Sequence, residues 1–196
     1  MTLLTSRVGG NADVFPDILL LYVSDGSRVL DMTWGRGVFW KNVTVAYART
    51  TVDNATPADV CADFTRLPFG DSSFDACVLD PPYMHGGATV KASINAPYRN
   101  QNTSHESVIR LYVGGFLEAA RVLRQGGRLI TKCQDEIESG RQHLSHVELL
   151  QTLEVLGFKT LDLFVLVQTT TPAIREPVQK TARKNHSYFI VSEFRR

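Results

Sequence analysis

The residues best suited to chemistry are Asp80-Pro81-Pro82-Tyr83, which follow the apolar run Phe74 to Leu79 and open a long polar stretch. Two successive prolines have no N–H to give a ladder, so a strand must end there. A carboxylate, a stiff turn and an aromatic ring then project together. That set suits a planar group bearing an amine, with Asp80 and a prolyl carbonyl accepting its two N–H bonds while the Tyr83 ring stacks on its face. A second such region is Asp31-Met32-Thr33-Trp34-Gly35-Arg36-Gly37, directly after the strand-like Arg28 to Asp31. Glycines at that point allow a tight turn and close approach of a ligand to the backbone.

Asp31, Asp53, Asp63 and Asp80 each fall at or just past the end of an expected strand. In an open parallel sheet those ends share one edge, where ligands bind near the switch in strand order. Asp53 is placed to accept from both hydroxyls of a ribose. Asp63 with Phe64 could hold and cover an adenine, and Asp31 lies near the amino group of a ligand's tail. No GxxxxGK[ST] loop is present, so the ligand implied is a nucleoside with a charged tail rather than a polyphosphate. Asp25, Asp71 and Asp75 read as turn formers or solvated charges.

The elements that must position these groups alternate between strand-like and helix-like patterns, which predicts a mostly parallel sheet covered by helices. Expected strands are Arg28 to Asp31, Thr51 to Asp53, Val60 to Asp63, Phe74 to Asp80, Arg128 to Lys132, Leu161 to Val167 and Tyr188 to Val191. Asp17 to Val23 is a short amphipathic segment with Pro16 at its start. Ser104 to Leu123 is the clearest helix, because Val108, Leu111, Tyr112, Phe116, Ala119 and Leu123 share one face, and Gly126-Gly127 stops it. Leu144 to Leu153 is another, closed by Gly157. The stretch from Val38 to Arg49 should hold a helix after the glycine turn, yet Val43, Thr44 and Val45 favour a strand, so that helix is expected to be short or irregular. Residues 84–103 and 169–185 are long loops and candidate substrate-binding segments.

At 196 residues the chain suits one domain, over 1–196, with a sizeable core. A formal net charge of +1 predicts no strong non-specific grip on nucleic acid, so any such contact must be local. Candidates are Lys91, Arg99, Arg183, Lys184 and His186. Three scattered cysteines, Cys61, Cys77 and Cys133, lack CxxC spacing and suit a reducing compartment. His143 and His146 sit on an expected helix without other ligand-type residues in motif spacing, so no metal site is expected. No secretory signal and no membrane-spanning run is visible, which predicts a cytoplasmic protein.

Together these motifs resemble the DNA amino-methyltransferases, which methylate adenine N6 or cytosine N4 with S-adenosylmethionine. Asp31 to Gly37 resembles that family's cofactor loop, including Thr33, Gly35 and Gly37, and Asp80 to Tyr83 its catalytic DPPY. Asn11 to Phe15 resembles the segment covering the methionine end, with Phe15 as the contact. The likeness continues through Glu118 to Leu123, Gly127 to Asp135 and Arg183 to Phe189. It implies a Rossmann-like α/β methyltransferase fold, a mostly parallel seven-stranded sheet with helices on both faces and an antiparallel last strand. The cofactor loop departs from the family's more frequent Pro-Phe-x-Gly-x-Gly, so Trp34 and Arg36 need room. No large insert or further domain for reading a recognition sequence is evident, which points to a short site, or to a partner chain or homodimer that helps. Amine methylation of an RNA base and a non-catalytic partner subunit with the same fold are the alternatives. A protein glutamine amide fits less well, since an Asn usually replaces the acid in that class.

Overall fold

Alternation along the central strands sends successive side chains to opposite faces of one sheet. The computed structural model describes residues 3–82, 104–169 and 181–195. In β2 (Arg28–Asp31) and β5 (Phe74–Leu79), Leu30, Cys77 and Leu79 face one core while Val29, Ala76 and Val78 face the other. The first core is closed by α2 (His105–Val122) and α3 (Ser145–Val155), through Val108, Tyr112, Phe116, Leu149 and Leu153. The second is closed by α1 (Asn11–Tyr22) and a single 3-10 turn, Val38–Asn42, through Phe15, Ile18, Leu19, Phe39 and Trp40.

The remaining strands are β1 (Ser6–Val8), β3 (Ala48–Asp53), β4 (Val60–Cys61), β6 (Leu123–Cys133), β7 (Glu136–Glu138), β8 (Arg141–His143), β9 (Phe158–Val167) and β10 (His186–Phe194). The main sheet has the order β1-β9-β10-β6-β5-β2-β3-β4. All its pairings are parallel except those of β10, which runs antiparallel to both β6 and β9. From β2 the chain steps outward to β3 and β4, then jumps back to place β5 on the other side of β2. The carboxyl ends of β2 and β5 therefore flank the point where strand order reverses, the place where such sheets bind ligands.

Seven of the eight strands match the expected set. The eighth, β1, pairs in parallel with the edge strand β9, Ser6 opposite Val165. Its three residues are too few to show alternation in the sequence. The antiparallel hairpin β7–β8 is also unforeseen, because Glu136-Ile137-Glu138 and Arg141-Gln142-His143 carry almost no apolar signal.

The first helix corrects the expected boundaries, since it starts at Asn11 and carries Pro16 in its interior. Its start is fixed by Asp13, whose Oδ2 accepts from Gly10 N at 2.7 Å. Pro16 has no N–H for the carbonyl of Ala12. That carbonyl instead accepts from Asn42 Nδ2 at 3.0 Å, which also ties the 3-10 turn to the helix. The irregular expectation for 38–49 agrees with the 3-10 turn over Val38–Asn42. Among the described residues no helix is long and apolar enough to cross a membrane.

Candidate active site

A cavity of about 400 Å³ opens at the switch point, lined by the ends of β2, β3 and β5 and by Lys132 of β6. Two hydrogen bonds lock the glycine turn to the end of β5 and the residue after it. Met32 N donates to Val78 O at 2.9 Å, and Asp80 N donates to Thr33 Oγ1 at 2.7 Å. The two regions singled out for chemistry therefore form one wall.

Asp31 is buried at the base of this wall, 3% exposed. Its Oδ1 accepts from Thr33 N at 3.1 Å and its Oδ2 from Trp40 Nε1 at 2.7 Å. Burial pushes its carboxyl up to about 6; the Trp40 and Thr33 N–H groups oppose that rise, and the neighbouring charge of Asp80 adds to it. Asp80 sits directly after β5 with Oδ1 shielded from solvent and without a hydrogen-bond donor. Burial raises its carboxyl as well, and Lys132 pulls it down. The Lys132 side chain is itself only 3% exposed, with Nζ 3.8 Å from Asp80 Oδ1. Pro81 and Pro82 line the same cavity.

Lys132 is the residue that motif reading missed. A lysine within Leu129-Ile130-Thr131-Lys132-Cys133 was the available signal, because a cation between buried neighbours requires a partner across the sheet.

Trp34 and Arg36 find their room in different ways. Gly37 has φ +64°, and a Cβ there would lie 2.5 Å from Trp34 Cη2, so the indole folds back over a bare glycine. Arg49 lies over that ring and over Trp40, 4.8 Å from each centroid. Arg36 lines the cavity.

Three candidate residues behave differently from the expectation. Asp53 lines the cavity, yet its carboxylate is already engaged by backbone donors. Oδ2 accepts from Gly35 N at 2.8 Å, and Oδ1 from Ala55 N and Thr56 N at 2.7 Å each. It braces the glycine turn against the loop after β3. Asp63 is absent from the cavity lining; its Oδ1 accepts from Thr65 N and Thr65 Oγ1 at 2.8 Å, a local turn bond, while Ala62 and Phe64 on either side line the cavity. Phe15 is fully buried against Phe39, Trp40 and Phe189, behind the wall. Asn11, from the same segment, lines the cavity instead. The helical spacing that makes Phe15 a core residue turns it away from the ligand side.

Tyr83, Lys91 and Arg99 lie outside the described residues. Arg183, Lys184 and His186 precede and begin β10, which enters the sheet antiparallel and so starts at the edge where β6 ends. Gln134 Nε2 donates to His186 O at 2.9 Å across that edge, and His186 Nε2 lies 3.0 Å from Tyr188 Oη. Cys77 and Cys133 are buried, and burial raises both thiols far above their ordinary value, while Cys61 is exposed.

No protein-family model matches the chain, and no curated protein does. Solved structures do. A proposed methyltransferase from Bacillus halodurans superposes with a TM-score of 0.60 at 15% identity, over 94% of this chain and 100% of that one. The 1,6-didemethyltoxoflavin N1-methyltransferase of Burkholderia thailandensis, solved with its substrate and S-adenosylhomocysteine, gives 0.57 at 15% identity, over 95% and 79%. A proposed DNA modification methylase from Thermus thermophilus gives 0.42 at 22% identity; the match covers 65% of this chain and about half, 47%, of that one. At such identities the likeness is one of fold, and the fold is the Rossmann-like α/β fold of S-adenosylmethionine-dependent methyltransferases.

Proposed function

We propose that this chain is a methyltransferase that binds S-adenosylmethionine in the switch-point cavity and methylates an exocyclic amine of a nucleic-acid base, adenine N6 or cytosine N4 of DNA. The observation that carries this reading is Asp80 Oδ1, a buried acceptor with no hydrogen-bond donor, held beside two prolines in the same cavity as a buried second acid. Such an atom is costly unless something donates to it. An amino group entering the cavity supplies that donor.

The lining fits the cofactor. The cavity is large enough for a nucleoside with a tail. Ala62 and Phe64 offer an apolar slot for a purine, Asn11 and Asn54 offer polar ends, and Asp31 with Asp80 favours a cation. When bound, S-adenosylmethionine supplies an electrophilic methyl group. The chain's part is to prepare the nucleophile. An exocyclic amine is weak because its lone pair is delocalised into the ring. Donating one N–H to Asp80 and the other to the Pro81 carbonyl favours a pyramidal nitrogen with a localised pair. Lys132, 3.8 Å away, favours the ionised, accepting form of Asp80 against the effect of burial. After transfer the nitrogen carries one proton too many, which Asp80 can take and pass to water. A base in a duplex must leave the stack to reach the cavity, where the ring of Tyr83 would cover its face.

Calorimetry with S-adenosylmethionine, together with nucleoside mass spectrometry of DNA and RNA from expressing cells, tests this reading. Wild type and Asp80→Ala should both bind the cofactor. Only wild type should yield a methylated amino base, with activity of the variant down on the order of 10²-fold or more. Full activity in Asp80→Ala overturns the assignment, and a product confined to RNA moves the substrate to that class.

A further inference from the structure

His105, His143 and Glu148 come from three elements yet aim their ligand atoms at one another, all within 4.8 Å. His105 is the first residue of α2, His143 ends β8, and Glu148 lies in the first turn of α3. His105 Nε2 is 3.1 Å from both carboxylate oxygens of Glu148, while His105 Nδ1 is 2.8 Å from Glu136 Oε1. The two imidazole rings lie 4.0 Å apart between centroids at 31°. Glu138 completes the shell, accepting from His105 N at 3.2 Å and lying 3.9 Å from His143 Nε2.

A protonated imidazole clasped by Glu136 and Glu148 would account for His105 alone. The second imidazole, His143, has only a long contact of its own, 3.9 Å to Glu138, and stacks on the first, where it adds no countercharge. A shared cation accounts for all three groups. Two ligand atoms on one zinc at about 2.0–2.1 Å sit roughly 3.3 Å apart at the tetrahedral angle, close to the separation of His105 Nε2 from Glu148. With an ion bound, the contact from Nδ1 to Glu136 would serve as the outer carboxylate bond that holds the proton on Nδ1 and leaves the Nε2 lone pair facing inward.

We propose that His105 Nε2, His143 and Glu148 bind a divalent transition-metal ion, zinc foremost, with a fourth position open to water. Two imidazoles and one carboxylate suit zinc, whereas calcium and magnesium prefer oxygen-only sets. The three ligand atoms lie within 4.8 Å of one another, against roughly 3.3 Å in a tetrahedral zinc site, so the cluster closes by up to about 1.5 Å as the ion enters. The Glu148 side chain, 44% exposed, is free enough to make that movement. None of the three lines the switch-point cavity, so the site stands apart from the methyl-transfer reading. Its effect is to tie the β7–β8 hairpin and the start of α3 to the start of α2. The same hairpin follows Lys132 and Asp135 along the chain, so the tie is made beside the edge that carries Asp80. Spacing in the sequence hid the site: His143 lies on a strand rather than the expected helix, and its partner His105 is remote in sequence.

Tag-free full-length protein, stripped with a chelator, provides the test with cobalt(II) as probe and zinc as competitor. One cobalt per chain is expected, with the intense visible absorption of a four-coordinate ion, displaced by zinc. Glu148→Gln and His143→Ala should each weaken binding at least ~10-fold, and Glu136→Gln by about 10- to 100-fold, with circular dichroism unchanged. X-ray absorption of the zinc-loaded wild type should show two imidazoles and oxygen, a result that does not depend on any variant folding. Failure to retain metal, affinity unchanged in the variants, or sulfur ligation through Cys61 overturns the proposal and leaves an ion-paired imidazole.

Discussion

Replacing Gly37 with alanine tests the packing that shapes the cavity wall. At φ +64° an L side chain is strained by about 1–2 kcal/mol. The new Cβ would also meet Trp34 Cη2 at 2.5 Å and Cζ2 at 2.6 Å. That ring is not free to swing, because Arg49 covers it and Trp34 N is bonded to Val52 O at 3.0 Å. Overpacking of this kind costs about 1–3 kcal/mol, so with the backbone strain Gly37→Ala should destabilise the fold by about 2–5 kcal/mol. Urea unfolding measures it, with a constant slope showing that the midpoint shift is a stability change. The double-mutant cycle divides the two causes. In a Trp34→Ala background the clash is gone and Gly37→Ala should cost only the backbone part, leaving a coupling of about 1–3 kcal/mol. Equal cost in both backgrounds would refute the assignment to the indole. A loss under about 0.5 kcal/mol in wild type would refute the strain as well. Because Trp34 lines the cavity, the same substitution should also weaken binding of S-adenosylmethionine.

The Asp31 carboxyl, raised by burial from 3.8 to about 6, makes stability depend on pH. The folded chain holds that proton more tightly than the unfolded one, so this contribution is fully present below pH 3.8 and lost as pH rises through about 6. Its full size is on the order of 3 kcal/mol. Asp31→Asn should flatten the fall in unfolding midpoint between pH 4 and 6.5, and an unchanged slope would show that the burial does not matter. Arg121 staples the 67–71 loop through the carbonyls of Leu67 and Phe69 and through Glu118, whose Oε2 also takes Leu67 N at 2.6 Å. Arg121→Ala should cost about 1–2 kcal/mol and speed hydrogen exchange in that loop, with α1 unaffected. If Arg183 and Lys184 touch phosphates, replacing both with alanine should reduce the salt slope of DNA affinity by about 2; an unchanged slope removes them from the interface.

How far this edge can be read from sequence differs by residue, for physical reasons. Asp31 and Asp80 are legible because each ends an apolar run and meets a residue that stops a strand, glycine turn or proline pair. The position of Asp53 is legible for the same reason, but its bonding is not, since Gly35, Ala55 and Thr56 reach it only once the turn and the loop have folded together. Phe15 is misread because motif matching places a residue along the chain without saying which helix face it occupies. Lys132 and His105 are invisible to spacing, as the partners that give them meaning, Asp80, Glu136 and Glu148, come from other elements. Short strands fail for a different cause: in β1 and in the β7–β8 hairpin, neighbours across the ladder supply the order that the side chains do not encode.

The charges at the cavity explain why these hidden partners matter. Ionising both Asp31 and Asp80 would put two negative charges on a buried wall, offset by Lys132 beside Asp80 and by Arg49 near Asp31 only in part, since burial still raises both carboxyls. Burial and the charge of Asp80 raise the proton affinity of Asp31, and Lys132 opposes the effect of burial at Asp80. A ligand that carries a positive charge removes that frustration, whereas an anionic ligand deepens it. Cation binding should consequently drive proton release from Asp31, so affinity for S-adenosylmethionine rises with pH through about 6 and levels above it. Calorimetry in two buffers of different ionisation enthalpy at pH 6 would register that proton. Affinity that is flat from pH 5 to 7.5, with no proton released, would mean that the cation is held away from Asp31 and that the cavity's charge serves something else.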